Sequence, residues 1–262
     1  MNIVGLDALV FGVDDVSACT RYLIDYGLRP VAADNDGGRF EALDGTSIVL
    51  ARRDAPDLPP PLPTATQLRK TVYGVADAAT LTAIAEELGR DRDVRRLDDG
   101  SLETVDDVGS ALGFQVTRRR PPQLPAETVN APGAPAQRAI NVPGAVEGAP
   151  ALPRSLSHVV CFVPDSAKAE AFYVERLGFV CTDRFTGVGP FLRPAGTPEH
   201  HTLFLLQTPP HMQGCEHFTF HLGGPPGGDG AGSGRPSTRP AGDGFPRKLL
   251  HQVRRIRFHR SP

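Results

Sequence analysis

The sequence predicts an α+β protein of repeated βαβββ modules that pair into curved mixed sheets, in two halves of which the second is incomplete. Three observations predict it. LDALVFGVDDVSACTRYLIDYGL and SHVVCFVPDSAKAEAFYVERLGF align at an offset of 151, matching Phe11 with Phe162, Asp14 with Asp165, Ala18 with Ala169, Tyr22 with Tyr173 and Gly27 with Gly178. Each copy reads as an alternating strand, an Asp near a helix start and a helix closed by Gly. Between them, RKTVYGV followed by ADAATLTAIAEELG repeats the same order.

Taken along the chain, the first module covers about residues 1–53. Its strand and helix are followed by GRFEAL and TSIVLAR, a hairpin turning at Asp-Gly. The Pro-rich connector DAPDLPPPLPTATQ leads to a second module, about 68–119, which closes with RRLDDGSLETV and GFQVTRR. Residues 1–119 are therefore read as an N-terminal domain and the Pro-rich stretch 120–155 as an interdomain linker. Residues 156–222 hold the third module and the first strand of a fourth, CEHFTFHL. Ala169, Phe172, Tyr173 and Leu177 place one apolar face on the third module's helix.

The tail, 223–262, contains nine Gly, six Pro and seven Arg against two acidic residues, a composition that cannot bury a core. It is read as disordered or as out-of-frame translation. The gene's other two frames beyond codon 224 should then encode a strand–helix–strand pattern ending in a Glu-bearing strand. The alternative is a basic tail, RKLLHQVRRIRFHRSP, that meets nucleic acid or membrane.

At 262 residues the chain has room for two domains, each with its own core. A net charge of −2 argues against a nucleic-acid partner or an anionic membrane, and no apolar run reaches spanning length. The N-terminus lacks a basic segment and a cleavage site. Four cysteines without CxxC spacing suit a reduced, cytoplasmic protein.

Histidines carry the chemistry. Strand alternation puts His158, Val160 and Phe162 on one face, His201, Leu203 and Leu205 on one, and His217, Thr219 and His221 on one. Phe218, Phe220 and Leu222 then supply core. A curled sheet brings these imidazoles to one metal ion. The first half is an internal control, with Asp7 in place of His158 and Lys70 in place of His217. A chance zinc site of Cys215, His217 and His211 is a competing reading, with Cys215 and His217 on a shared face.

LSHVVCFVPD, AFYVERLGF, HHTLFLL and CEHFTFHL, set in paired modules, resemble the vicinal oxygen chelate superfamily (glyoxalase/bleomycin resistance/dioxygenase). Over about Asn2 to Leu222 the arrangement is similar to the type I extradiol ring-cleaving dioxygenases. That resemblance implies Fe(II), with Mn(II) as the alternative, held by His158, His217 and a glutamate. It implies His201 as the acid/base histidine, His200 being expected on the opposite face. The implied reaction is O₂ insertion into a catechol-like ring with ring cleavage. A small aromatic substrate and O₂ are then the partners, with no nucleic acid or membrane and with a homo-oligomer allowed.

The family's glutamate lies on the fourth module's last strand. Lys70 to Gln115 spans 45 residues, and 45 beyond His217 is Pro262, so the glutamate is expected at or past the end of this sequence. Little or no ring-cleaving activity follows as the expectation. A metal-free binding protein like the bleomycin-resistance proteins is the alternative. A glyoxalase-type site would need a glutamate on each module's last strand, and TSIVLAR and HTLFLLQ carry none.

Overall fold

A computed structural model describes residues 1–63, 67–123, 130, 132–142 and 152–223. The first module comprises β1 (Ile3–Val13), α1 (Val16–Asp25), β2 (Arg29–Ala33), β3 (Gly37–Glu41) and β4 (Ser47–Arg52). The second has β5 (Leu68–Val75), α2 (Ala78–Leu88), β6 (Arg95–Arg96), β7 (Leu102–Val105) and β8 (Ala111–Val116). The third has β9 (Leu152–Val163), α3 (Ser166–Ala171), β10 (Phe179–Phe185), β11 (Gly189–Pro194) and β12 (Leu203–Gln207), and β13 (Gly214–Gly223) follows. A π-helical turn, Phe172–Arg176, continues α3.

Side-chain caps start each helix. Asp15, Asp77 and Asp165 accept from the backbone N–H of Ala18, Thr80 and Lys168 at 2.8, 2.8 and 2.9 Å. The first cap is thus Asp15, one residue beyond the Asp14 that the repeat aligns. Gly27 and Gly178 end the equivalent helices with φ of 104° and 72°, a conformation that side chains resist.

The fold is α+β, with strands in the orders β2-β3-β4-β1-β5-β8-β7-β6 and β10-β11-β12-β9-β13. The repeat is visible in the register. Parallel pairing sets Ala8 opposite Ser47 in the first sheet and Val159 opposite Leu203 in the second. Antiparallel pairing then joins modules, β1 to β5 and β9 to β13. Leu9 faces Thr71 where Val160 faces His217, so the first-half counterpart of His217 is Thr71 rather than Lys70. Both strand pairs contain register shifts, which an ungapped alignment cannot see.

One buried cluster runs through both sheets, where the sequence suggested a core for each half. Phe11 meets Phe218 with ring centroids 5.4 Å apart, Tyr26 meets Phe220 at 5.8 Å, and Tyr73 meets Phe179 at 5.5 Å. Polar links cross beside it. Tyr173 donates to Asp106 at 3.3 Å, and Arg176 pairs with Glu87 at 2.6 Å and Asp91 at 2.9 Å. The backbone N–H groups of Leu43 and Asp44 donate to the carbonyls of Pro153 and Arg154. β9 therefore begins at Leu152, inside the stretch read as linker. Residues 124–129, 131 and 143–151 of that stretch, and the tail from 224 onward, lie outside the described residues. Among the described residues no helix is long and apolar enough to cross a membrane.

Candidate functional site

The second sheet gathers histidines on the face away from the shared core. β9 presents His158, and antiparallel pairing puts Thr219 of β13 directly opposite it and His217 opposite Val160. His158, Val160, His217 and Thr219 therefore share one face. The Nε2 atoms of His158 and His217 lie 3.4 Å apart. Each ring's other nitrogen is engaged: the Thr219 hydroxyl lies 3.0 Å from His158 Nδ1, and the Glu216 carboxylate contacts His217 Nδ1. Partners of this kind orient an imidazole so that its second nitrogen is presented outward.

His201 completes the cluster by a route the alternation pattern did not foresee. It precedes β12, packs tilted against His158 with centroids 4.5 Å apart and meets Phe191 edge to face at 4.9 Å. Leu203 and Leu205 instead join the buried core. The expected common face of His201, Leu203 and Leu205 is corrected, because alternation holds only within the strand, and the strand starts at Leu203. His200 also stays close, its Nδ1 3.0 Å from that of His201. Beside them Phe191 stacks on Phe204 at 4.2 Å and Phe185 meets Phe191 edge to face at 5.0 Å, an aromatic wall that sequence reasoning missed.

A β-bulge at Glu216 shapes the strand. Cys215 pairs with Cys161, His217 pairs with Val160, and Glu216 between them has no opposite residue. The extra residue turns Cys215 toward the core, away from the face of His217. The zinc reading of Cys215, His217 and His211 loses its shared face for that reason. Neither the bulge nor Glu216's contact with His217 has a signal in CEHFTFHL beyond adjacency.

Burial, then the neighbouring His201, His217 and His221, pushes the His158 imidazole down to about 3. Burial with His200 and His217 also lowers His201. Both rings are neutral at physiological pH, with lone pairs available. In the unfolded chain they protonate near 6.5, so between that value and the lowered ones the unfolded state binds more protons. Stability is present above the unfolded value and is lost as pH falls through this window. Asp106, raised by burial to about 6, opposes this below that pH. Its smaller shift leaves the histidines dominant. Melting temperature should therefore drop between pH 7.5 and 5.5, and by less in His158→Asn. Parallel pH profiles for the two proteins would refute the assignment.

The first half shows what the same scaffold does without imidazoles. Asp7, the counterpart of His158, is buried, and it accepts from Arg119 Nε at 2.9 Å, Gln115 Nε2 at 3.0 Å and Thr117 Oγ1 at 3.0 Å. Arg119 also donates to the Leu6 carbonyl. A Cβ at residue 74 would sit 2.3 Å from Asp7 Oδ1, so only glycine fits there. Gln115 stands on β8, the last strand of its module. A last-strand side chain thus reaches the first-strand residue, and in this half the cation beside it is a guanidinium.

A metal tests the second half's geometry directly. Two imidazoles on one ion, with bonds of about 2.1 Å, can place their nitrogens 3.4 Å apart. The donor set stops there: among the described residues no group of three His, Cys, Asp or Glu is arranged to hold a metal ion. His158 and His217 fit two members of the three-ligand set that the resemblance implies, and no described residue supplies the anionic third.

Residues 155–225 match a family model described as the Glyoxalase/Bleomycin resistance protein/Dioxygenase superfamily. The chain carries a domain of that superfamily. Solved structures extend its fold across both halves. A Mn(II)-bound glyoxalase from Novosphingobium aromaticivorans matches with a TM-score of 0.61 and 17% identity, over 84% of this chain and 65% of that one. 2,2',3-Trihydroxybiphenyl 1,2-dioxygenase from Sphingomonas wittichii RW1 matches with TM-score 0.56 and 22% identity, over 84% and 73%. The 2,3-dioxygenase LapB from Pseudomonas sp. KL28 gives 0.58 and 16%, over 83% and 75%. This chain thus spans about two thirds to three quarters of the length of these superfamily neighbours. No curated protein matches the sequence.

Proposed function

We propose that this chain is a protein of the extradiol dioxygenase type whose described residues supply two of the three metal ligands, and that it has little or no ring-cleaving activity. The observation that carries it is the convergence of His158 and His217 on adjacent strands, with His201 packed against the first. Catechol-type dioxygenases among the structural neighbours support the reading, and the Mn(II)-bound glyoxalase supports a divalent ion. Fe(II), or Mn(II) in its place, is the proposed metal, with His158 and His217 its ligands. In this reading His201 handles the substrate proton, since a neutral imidazole accepts from a phenolic hydroxyl. Phe191, stacked on Phe204 and edge to face with His201, offers a planar ring an aromatic wall beside that base.

That no anionic donor joins the two imidazoles among the described residues decides the expected activity. Two neutral imidazoles give a divalent cation no charge compensation, so binding is weak. Metal analysis after anaerobic loading with Fe(II) should find well under one ion per chain, and a catechol should turn over at the rate of buffer. Stoichiometric iron with rapid ring cleavage would overturn the impairment. Co(II) binding that is unchanged in both His158→Ala and His217→Ala would overturn the two-histidine site. A described site without an anionic donor also favours a second reading, a metal-independent binding protein of the bleomycin-resistance type. Calorimetric binding of a planar phenol in the presence of a chelator would support it.

A further inference from the structure

We propose that Cys161 and Cys215 are a modification site, a cysteine pair that closes into a reversible cross-strand disulfide between β9 and β13. The two residues stand directly opposite each other in the antiparallel register. Facing residues in such a pair have Cα atoms about 4.5–5.5 Å apart. That lies inside the span of about 4.4–6.8 Å that a disulfide bridges. Both side chains pack against the shared core, so they lie on one face of the sheet. The Glu216 bulge creates this pairing, because without the extra residue Cys215 would follow His217 to the other face.

Both residues carry thiols in this structure and both are half-buried. Each borders a pocket, and burial pushes both thiols up, Cys161 to about 12, so the oxidation is slow at neutral pH and faster in alkali. Cys161 lines one with Tyr73 and Tyr173, and Cys215 lines another with Cys19, Phe11 and Phe218. The other cysteines are placed differently, Cys19 buried on α1 and Cys181 on β10 away from the β9–β13 ladder.

The oxidant proposed is a hydroperoxide. The sulfur of one cysteine attacks the O–O bond, giving a sulfenic acid and releasing an alcohol, or water when the oxidant is hydrogen peroxide. The second sulfur then attacks the sulfenic sulfur, the S–S bond forms, and hydroxide leaves as water with the second thiol's proton. The cysteines lose two electrons and the peroxide bond takes them. A dithiol reductant reverses the step by exchange. The bond ties β13, which has β9 as its one partner among the described strands, to the strand that carries His158.

The test uses the full chain, reduced and then treated with hydrogen peroxide at a few equivalents. Thiols are counted by alkylation with N-ethylmaleimide in denaturant and intact mass. The reduced protein should carry four labels, and the oxidised monomer two. A tryptic map should show residues 161 and 215 cross-linked, dithiothreitol should restore four labels, and the oxidised form should melt at higher temperature. Cys161→Ser and Cys215→Ser should each abolish the loss of labels, and Cys181→Ser, a folded control with an altered thiol count, should leave it. Four labels after oxidation, a bridge to Cys19 or Cys181, an intermolecular dimer, or oxidation that stops at sulfinic acid would each overturn the proposal.

Discussion

Replacing Arg119 by alanine is expected to destabilise the fold by about 3–5 kcal/mol, because it leaves a buried carboxylate without its cation. Asp7 is 3% exposed and its ion pair with Arg119 Nε spans 2.9 Å. Gln115 and Thr117 would remain as neutral donors, which solvate the charge only in part. In a chain of this size the loss corresponds to a melting temperature lower by about 10 °C. Thermal unfolding followed by circular dichroism reads it. Asp7→Asn combined with Arg119→Ala should cost less than the sum of the single changes, since the pair is then removed together. A single Arg119→Ala variant that melts within a degree of the parent would show that the guanidinium does not serve as the first half's cation.

Tyr73→Ala should cost about as much, 3–5 kcal/mol on the scale of large aromatic truncations in cores. Tyr73 is fully buried, and its ring meets Phe114 at 6.1 Å, Tyr173 at 6.4 Å and Phe179 at 5.5 Å. Two of those partners belong to the second sheet's module. Because one core serves both sheets, urea unfolding of the variant should remain a single transition, shifted as a whole. Two separated transitions in the parent protein, only one of which moves in Tyr73→Ala, would refute the shared core. Tyr73→Phe is the conservative control. The hydroxyl makes no hydrogen bond of normal geometry, so its removal should change stability by less than about 1 kcal/mol.

The modular plan was legible because it rests on local chemistry. An Asp that caps a helix, a Gly that ends it and apolar residues at strand or helix spacing are properties of short segments, and they recur here at a fixed offset. His158 and His217 were legible for the same reason, each lying on a strand whose alternation is readable. His201 was found by resemblance, while its face was misjudged from HTLFLLQ, because the ladder that enforces alternation begins at Leu203. Thr219, Glu216 and the Phe191–Phe204 wall carry no mark in the sequence that separates them from ordinary strand residues.

By itself, then, the sequence determined the module, its repetition and which strands carry imidazoles, since each depends on residues within a few positions of one another. Tertiary structure alone decided which residues face each other. A bulge at Glu216 shifts the register of β13 by one residue, turns Cys215 inward to Cys161 and sets His217 beside His158. It also merged two anticipated cores into one, through aromatic contacts between residues more than 100 positions apart, such as Tyr73 with Phe179 and Phe11 with Phe218. Strand register and sheet packing are settled by the summed burial of both partners, and no single segment contains that information.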